Sequence, residues 1–345
     1  MNKDNKAAAG AKELLGKAGP IIALILLGIF LTIQNENFLT VGNLMNVARQ
    51  TAMNGFLALG MMVCILTAGI DLSIGFTMTL STIIMAKCAV GMGWNPILCL
   101  LIGILSGGLL GLVNGLLLTK CKLPHPFIST LGTQNIYKGV ALVITGATPI
   151  AGMPAAIKWA GASFLSSDPD SFLGKVPVSF LLMLIAYILF SVFLNYSTLG
   201  RHIYAVGGNI TTAALSGINV DFVRTSVYVI SGVMAALGGI ILTGRTNSAY
   251  PLSGLLLEND AIAAVIIGGT SFFGGKGNVL GTFSGVLLIS VLRNGLNLLN
   301  VSSDMQTIFL GAIIIVAVFI DVIRSGGFAR VKRMKKEDDA VAASA

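Results

Sequence analysis

The stretch STLGRHIYAVGGNITTAALSGINVDFVR, Ser197–Arg224, lies between two long apolar runs and is itself too polar to cross a bilayer. Read that way, it makes its flanks membrane spans and itself the connection between them. Both ends of a short helix are marked inside it. Asn209 can serve as N-cap, Ile210–Ser216 can wind, and Gly217 suits the left-handed position past the last turn. A helix of about two turns, tethered to a span at each end, is either a lever or an ordinary interfacial loop helix. These residues alone leave both readings open.

Working outward, composition sets the class. Of 345 residues, 55% are hydrophobic and 10% charged, with a mean hydropathy of +0.88, which excludes a soluble globular chain. The 42 glycines suit closely packed membrane helices. Cys64, Cys88, Cys99 and Cys121 are scattered through apolar sequence without C-x-x-C spacing and read as small buried hydrophobes. Lys3, Lys6, Lys12 and Lys17 precede the apolar run Ile21–Ile33 as in a signal peptide, but no small-x-small cleavage site follows. The run is expected to be a retained first span beginning near Ala18.

Nine more apolar runs follow: Thr51–Ile70, Leu72–Met92, Pro96–Thr119, Phe127–Ala147, Pro177–Asn195, Phe222–Thr243, Asp260–Phe273, Val279–Leu299 and Gln306–Ile323. The eighth is short enough to be a half-helix or a tilted segment. A weakly polar loop, Thr148–Val176, carries Asp168 and Asp170. With the N-terminus inside, ten spans place fifteen of the 22 basic residues in the cytoplasm and four outside, with Lys87, Lys138 and Arg293 within spans. The net charge of +8 therefore belongs to one membrane face, where it can touch anionic lipid, and not to a nucleic-acid surface. The expected fold is an all-α polytopic membrane protein of about ten transmembrane helices. It forms one domain over residues 1–345, with 1–17, 197–224 and 324–345 in the cytoplasm.

The two halves echo each other. Thr67–Gly75 interrupts one apolar stretch, and Gly268–Ser271 with Gly274–Gly277 interrupts another. Gly107-x-x-x-Gly111 is answered by Gly281-x-x-x-Gly285, and Asn114-Gly115-Leu116 by Asn294-Gly295-Leu296. Because the spans concerned run in opposite directions, the echo reads as an inverted repeat.

An ionised group in hydrocarbon costs about 2.5–3.5 kcal/mol, so each asks for an account. Asp71, beside Ser73, is either a broken-helix residue near a pathway or an acid capping the third span. Glu258 and Asp260 read as caps at the outer start of the eighth span. Thr130, Gln134 and Lys138 recur at i, i+4 and i+8 on one face of the fifth span, facing protein or water, never lipid. Asn114, Asn294 and Asn297 raise the same choice between pathway and packing, and Lys87 can snorkel. The loop GGTSFFGGKGN fails as a phosphate loop, having Thr270 where glycine is needed and Gly277 where Ser or Thr is needed. No catalytic or metal-binding constellation is legible, so no enzyme activity and no cofactor are expected on this chain.

Five motifs in order, ILTAGIDLSIG (Ile65–Gly75), GLVNGLLLTKCKLPHPFISTLGT (Gly111–Thr133), LGRHIYAVGGNITTAALSGINV (Leu199–Val220), DAIAAVIIGGTSFFGGKGNVLGT (Asp260–Thr282) and NGLNLLNVSS (Asn294–Ser303), carry a resemblance. From about Asn37 to Asp321 the chain resembles the membrane permeases of bacterial ABC importers of the ribose, xylose and galactoside type. The resemblance implies a homodimer in the inner membrane, with the pathway at or near its axis and both termini cytoplasmic. It also implies an extracytoplasmic binding protein that delivers a monosaccharide, and a cytoplasmic ATPase that holds ATP-Mg and drives transport. Gly200, Arg201, Asn209, Ala213, Ala214 and Gly217 would then belong to the segment docking on the ATPase, the two alanines being small enough to seat it in a groove. The family commonly has acidic residues after the asparagine, where this chain has Ile210-Thr211-Thr212, so a salt bridge from these positions is not implied. Competing readings are a proton-coupled secondary transporter using Asp71, Glu258 or Asp260, and an ABC permease for nucleosides or branched-chain amino acids.

Overall fold

Glycine and small polar residues let helices approach until their backbones touch, and that contact organises the molecule. In the computed structural model, which describes residues 3–168 and 171–324, the α4 helix (Pro96–Thr119) lies along α10 (Val220–Thr246). A Cβ added at Gly107 would strike the Gly232 carbonyl, and one at Gly111 the Tyr228 carbonyl. Only glycine permits this seam. The α2 helix (Val41–Leu66) packs on the other side of α10, and every residue from Asn54 to Leu66 is buried.

Around this centre stand α1 (Lys3–Gln34), α3 (Ile74–Ala86, continued by a π-wound turn Lys87–Gly91), α5 (Pro126–Thr145), α6 (Ala155–Ala162) and α7 (Val178–Tyr196). The α8 (Thr198–Gly208) and α9 (Ile210–Leu215) helices follow, then α11 (Leu257–Ile267), α12 (Val279–Leu298) and α13 (Ser303–Arg324). Two-residue strands, β1 (Ile150–Ala151) and β2 (Ser248–Ala249), pair antiparallel. Among the described residues, seven helices are long and apolar enough to cross a membrane: α2, α3 with its extension, α4, α7, α10, α12 and α13. The apolar part of α1, Gly19–Gln34, together with α5 and α11, completes the ten expected elements. As expected, α11 is short: eleven residues span about 16 Å, half the hydrocarbon core. Exposed apolar side chains crowd the outer faces of α4, α7 and α13, as a bilayer requires.

The neighbour relations are mirrored about α2 and α10, which lie against each other. Helix α3 packs on α4, α5 and α10 as α11 packs on α12, α13 and α2. Helix α2 ends, and α10 begins, on the side of the molecule that carries α8 and α9, so the two halves run in opposite directions. This order corrects one pairing. The break between α2 and α3 (67–73) answers the turn between α10 and α11 (247–256), not the Gly268–Gly277 loop. The glycine spacings are not equivalent either, since Gly281 and Gly285 meet α11 at Gly268 and Ala264.

Other expectations are also corrected. The first apolar span begins at Gly19, next to the expected Ala18, although its helix α1 winds from Lys3. Helix α2 starts ten residues before Thr51. The loop Thr148–Val176 contains α6, which lies on α10 closely enough that a Cβ at Gly161 would meet the Ile241 carbonyl. Cys121 is exposed, whereas Cys64, Cys88 and Cys99 are buried thiols. Asp170 and the basic tail past Arg324 lie outside the described residues.

Candidate functional site

The segment between α7 and α10 is built by side-chain caps. Ser197 Oγ accepts from Gly200 N (2.9 Å) and starts α8. Asn209 Oδ1 accepts from Thr212 N (2.9 Å) and starts α9, and Asn219 Oδ1 accepts from Phe222 N (3.0 Å) and starts α10. Gly217 takes φ +82° after α9, as its position in the sequence suggests. Gly200 sits in the α7–α8 corner, where a Cβ would meet the carbonyls of Phe193 and Leu194. Arg201 donates from its guanidinium to the Tyr196 carbonyl at 3.1 Å. The expectation that Ala213 and Ala214 both face a partner divides here. Ala214 is exposed, but Ala213 is buried within the chain. Leu215, 85% exposed, and Ile210 supply the apolar surface beside Ala214.

This segment is seated on both of the glycine-rich breaks read from the sequence. Gly275 N donates to the Leu66 carbonyl at the end of α2 (2.9 Å). A Cβ at Gly207, on the last turn of α8, would run into that same carbonyl and into Gly275 N. Tyr204, also on α8, donates its hydroxyl to the Gly277 carbonyl at 3.0 Å, and burial pushes its phenol above its ordinary pKa. One short helix therefore touches the end of α2 and the loop after α11 at a single point.

Deeper in the molecule, the candidate pathway residues sort into three places. Asp71, fully buried, accepts from Ser73 N (3.1 Å) and Ser73 Oγ (2.7 Å) through Oδ1, and from Ser231 Oγ (2.7 Å) through Oδ2. Asn114 Nδ2 donates to Ser73 Oγ (2.7 Å), and Thr133 Oγ1 donates to Asn114 Oδ1 (2.6 Å). The break between α2 and α3 is thus held to α4, α5 and α10 by one neutral-donor network. The stripe on α5 faces protein. Thr130 Oγ1 donates to the Pro126 carbonyl (3.0 Å), Gln134 Nε2 to Glu258 Oε1 (3.0 Å), and Lys138 Nζ stands 5.9 Å from the Phe76 ring centre. Asn294 pairs with Asn43 on α2 (2.9 Å), and Asn297 Oδ1 accepts from Gln306 Nε2 (2.7 Å), both apart from the Asp71 network.

Glu258 and Asp260 lie in the first turn of α11, as expected, where the helix dipole favours acids, but neither makes a side-chain cap bond. Glu258 reaches Gln134, and Asp260 pairs with Arg293 Nη2 of α12 at 2.6 Å.

Residues 43–318 match the family described as branched-chain amino acid transport system / permease component. The chain belongs to this permease family. It is 43% identical over 308 residues to the ribose import permease protein RbsC of Bacillus subtilis (strain 168), covering 89% of this chain and 93% of that one. Identity is 40% over 301 residues to the D-allose transport system permease protein AlsC of Escherichia coli (strain K12), covering 87% and 89%. It is 32% over 355 residues to the xylose transport system permease protein XylH of the same strain, covering 87% and 90%. No solved structure matches the chain.

The permease is thus a multi-pass membrane protein, and several of its notable residues escaped the sequence reading. Gly207 and Tyr204 lie in the motif Leu199–Val220, but only their contacts with Leu66, Gly275 and Gly277 single them out. Ser231 is one serine among many on a glycine-rich helix, and its distance to Asp71 distinguishes it. The Asp260–Arg293 pair had a detectable signal: a carboxylate and a guanidinium in neighbouring apolar runs each need a partner.

Proposed function

We infer that this chain is the membrane-spanning subunit of an ABC importer that receives a monosaccharide from an external binding protein and passes it to the cytoplasm. The observation that carries this reading is the similarity, over nearly the whole of both chains, to permeases named for ribose, allose and xylose. The branched-chain amino acid description belongs to the wider family. A separate cytoplasmic ATPase binds ATP-Mg and supplies the energy, and the chain hydrolyses none itself. Two copies form the pathway in the inner membrane of a bacterium, with both termini cytoplasmic.

In this reading α8 and α9 form the coupling element, with Gly200, Arg201, Asn209, Ala213, Ala214 and Gly217 shaping it. Ala214, Ile210 and Leu215 present a small, partly apolar surface to the ATPase. The contacts of Gly207 and Tyr204 support the reading, because a push on α8 reaches the end of α2 and the loop after α11 together. Asp71, Ser73, Asn114, Thr130, Gln134, Lys138, Asn294 and Asn297 are proposed to border the pathway or brace the helices that do.

The test is uptake of labelled D-ribose, D-allose and D-xylose by cells with and without the chain, in the presence of an uncoupler that collapses the proton gradient. Uptake of at least one sugar that depends on the chain and survives the uncoupler is expected. Uptake that collapses with the gradient and persists without any ATPase would establish a proton-coupled carrier instead.

A further inference from the structure

The pole of the permease away from α8 and α9 contains a polar cavity. The α10 helix runs about 40 Å from Val220 to Thr246, so Arg245 marks the opposite side of the molecule from α9. There a cavity of about 280 Å³ is lined by Arg49, Asn54, Arg245, Asp260, Arg293 and Gln306, among others. Asp260 is already paired with Arg293, and Gln306 donates to Asn297, so these groups have partners. Three buried polar atoms of the lining have none: Arg49 Nε, Arg293 Nε and Asn54 Oδ1. Asn54 is 8% exposed, deep enough that an unmade hydrogen bond is costly.

The chemistry of the missing partner follows from which way each bond must run. Each Nε donates and needs an acceptor, whereas Asn54 Oδ1 accepts and needs a donor. An unprotonated anion such as sulfate or chloride offers acceptors alone and leaves Asn54 unsatisfied, and a hydrogen phosphate brings at most one or two donors with its charge. An ammonium group offers donors alone and is repelled by the arginines. A hydroxyl does both, and several hydroxyls on one small carbon skeleton can satisfy all three atoms. The volume lies just below the roughly 300–1,000 Å³ of pockets for drug-sized ligands, which points to a smaller guest.

We propose that this cavity is a binding site for a neutral polyhydroxylated molecule of monosaccharide size, held by Arg49, Asn54 and Arg293 before it passes deeper into the permease. The proposal rests on the sugar-import reading and adds a site within the permease itself.

The test uses the full chain in lipid nanodiscs, without binding protein or ATPase, mixed in turn with D-ribose, D-allose and D-xylose and followed by saturation-transfer NMR. Transfer to at least one sugar is expected. Binding should weaken about tenfold in Asn54→Leu, and similarly in Arg49→Lys, which keeps the charge but removes the Nε donor. Absence of transfer from wild type to any of the three overturns the site, as does unchanged binding in both variants. Displacement of the sugar by inorganic phosphate would make it an anion site and also overturn the proposal. Cellular uptake separates the two readings: a sugar that is imported but shows no transfer removes the cavity site and leaves the import function standing.

Discussion

Asp71 is fully buried and draws its hydrogen bonds from Ser73 and Ser231, all neutral donors. A carboxylate in that position depends on each of them, because an unpartnered buried oxygen costs more than a hydrogen bond is worth. Ser231→Ala removes the donor to Oδ2 without changing the helix around it. The expected loss of stability is about 1–3 kcal/mol, read as a lower unfolding temperature in detergent. Ser226→Ala is the comparison, since that hydroxyl bonds to its own helix at the Phe222 carbonyl and its loss should change stability by no more than about 0.5 kcal/mol. Equal effects from the two substitutions would show that Ser231 does not support Asp71.

At the scale of elements, legibility followed from whether the deciding contacts were local. The ends of α4 were readable to the residue, because Asn95 caps it, Pro96 opens it and Lys120 follows its apolar run. The α9 caps, Asn209 and Gly217, were readable for the same reason. Helix α8 was not, because Gly200, Gly207 and Gly208 resemble loop residues until their close backbone contacts are known. The first turns of α2 were hidden by Asn43, Asn46, Arg49 and Gln50, which depress hydropathy while α2 stays helical. Glu258 and Asp260 look like first-turn caps in sequence, and their partners, Gln134 and Arg293, lie far away in the chain. The same distinction separates the two alanines of α9. Trp at 213 must enter a packed interior and should destabilise the permease by about 1–3 kcal/mol or more. Ala214→Trp adds bulk on the exposed side, so the chain should fold and insert normally while sugar uptake falls and ATP hydrolysis continues uncoupled. Wild-type uptake with Trp at 214 would place the coupling surface elsewhere.

At the scale of the whole molecule, one contact between the mirrored halves is made where neither has a side chain. Gly75, at the start of α3, and Gly254, in the turn before α11, are so close that a Cβ on either would strike the other's carbonyl. Beside them Thr79 Oγ1 and Ser253 Oγ lie 3.1 Å apart, joining α3 to that turn. The α8 element touches the opposite side of the break in the first half and the loop after α11 in the second, so a movement at α8 acts on both halves. A contact between two backbones without interlocking side chains resists sliding less than a packed interface does, which makes the Gly75–Gly254 seam one place where the halves can shift. Replacing both hydroxyl residues, Thr79→Cys with Ser253→Cys, puts two thiols where the hydroxyl oxygens lie 3.1 Å apart, near enough for an oxidant to join them. Oxidation should tie α3 to the turn and stop sugar uptake, and a reductant should restore it, while neither single substitution responds to oxidant. Undiminished uptake in a fully cross-linked permease would mean that the seam stays closed throughout the cycle. The shift that opens the pathway would then have to arise around α7 and α10, where the coupling element joins the spans.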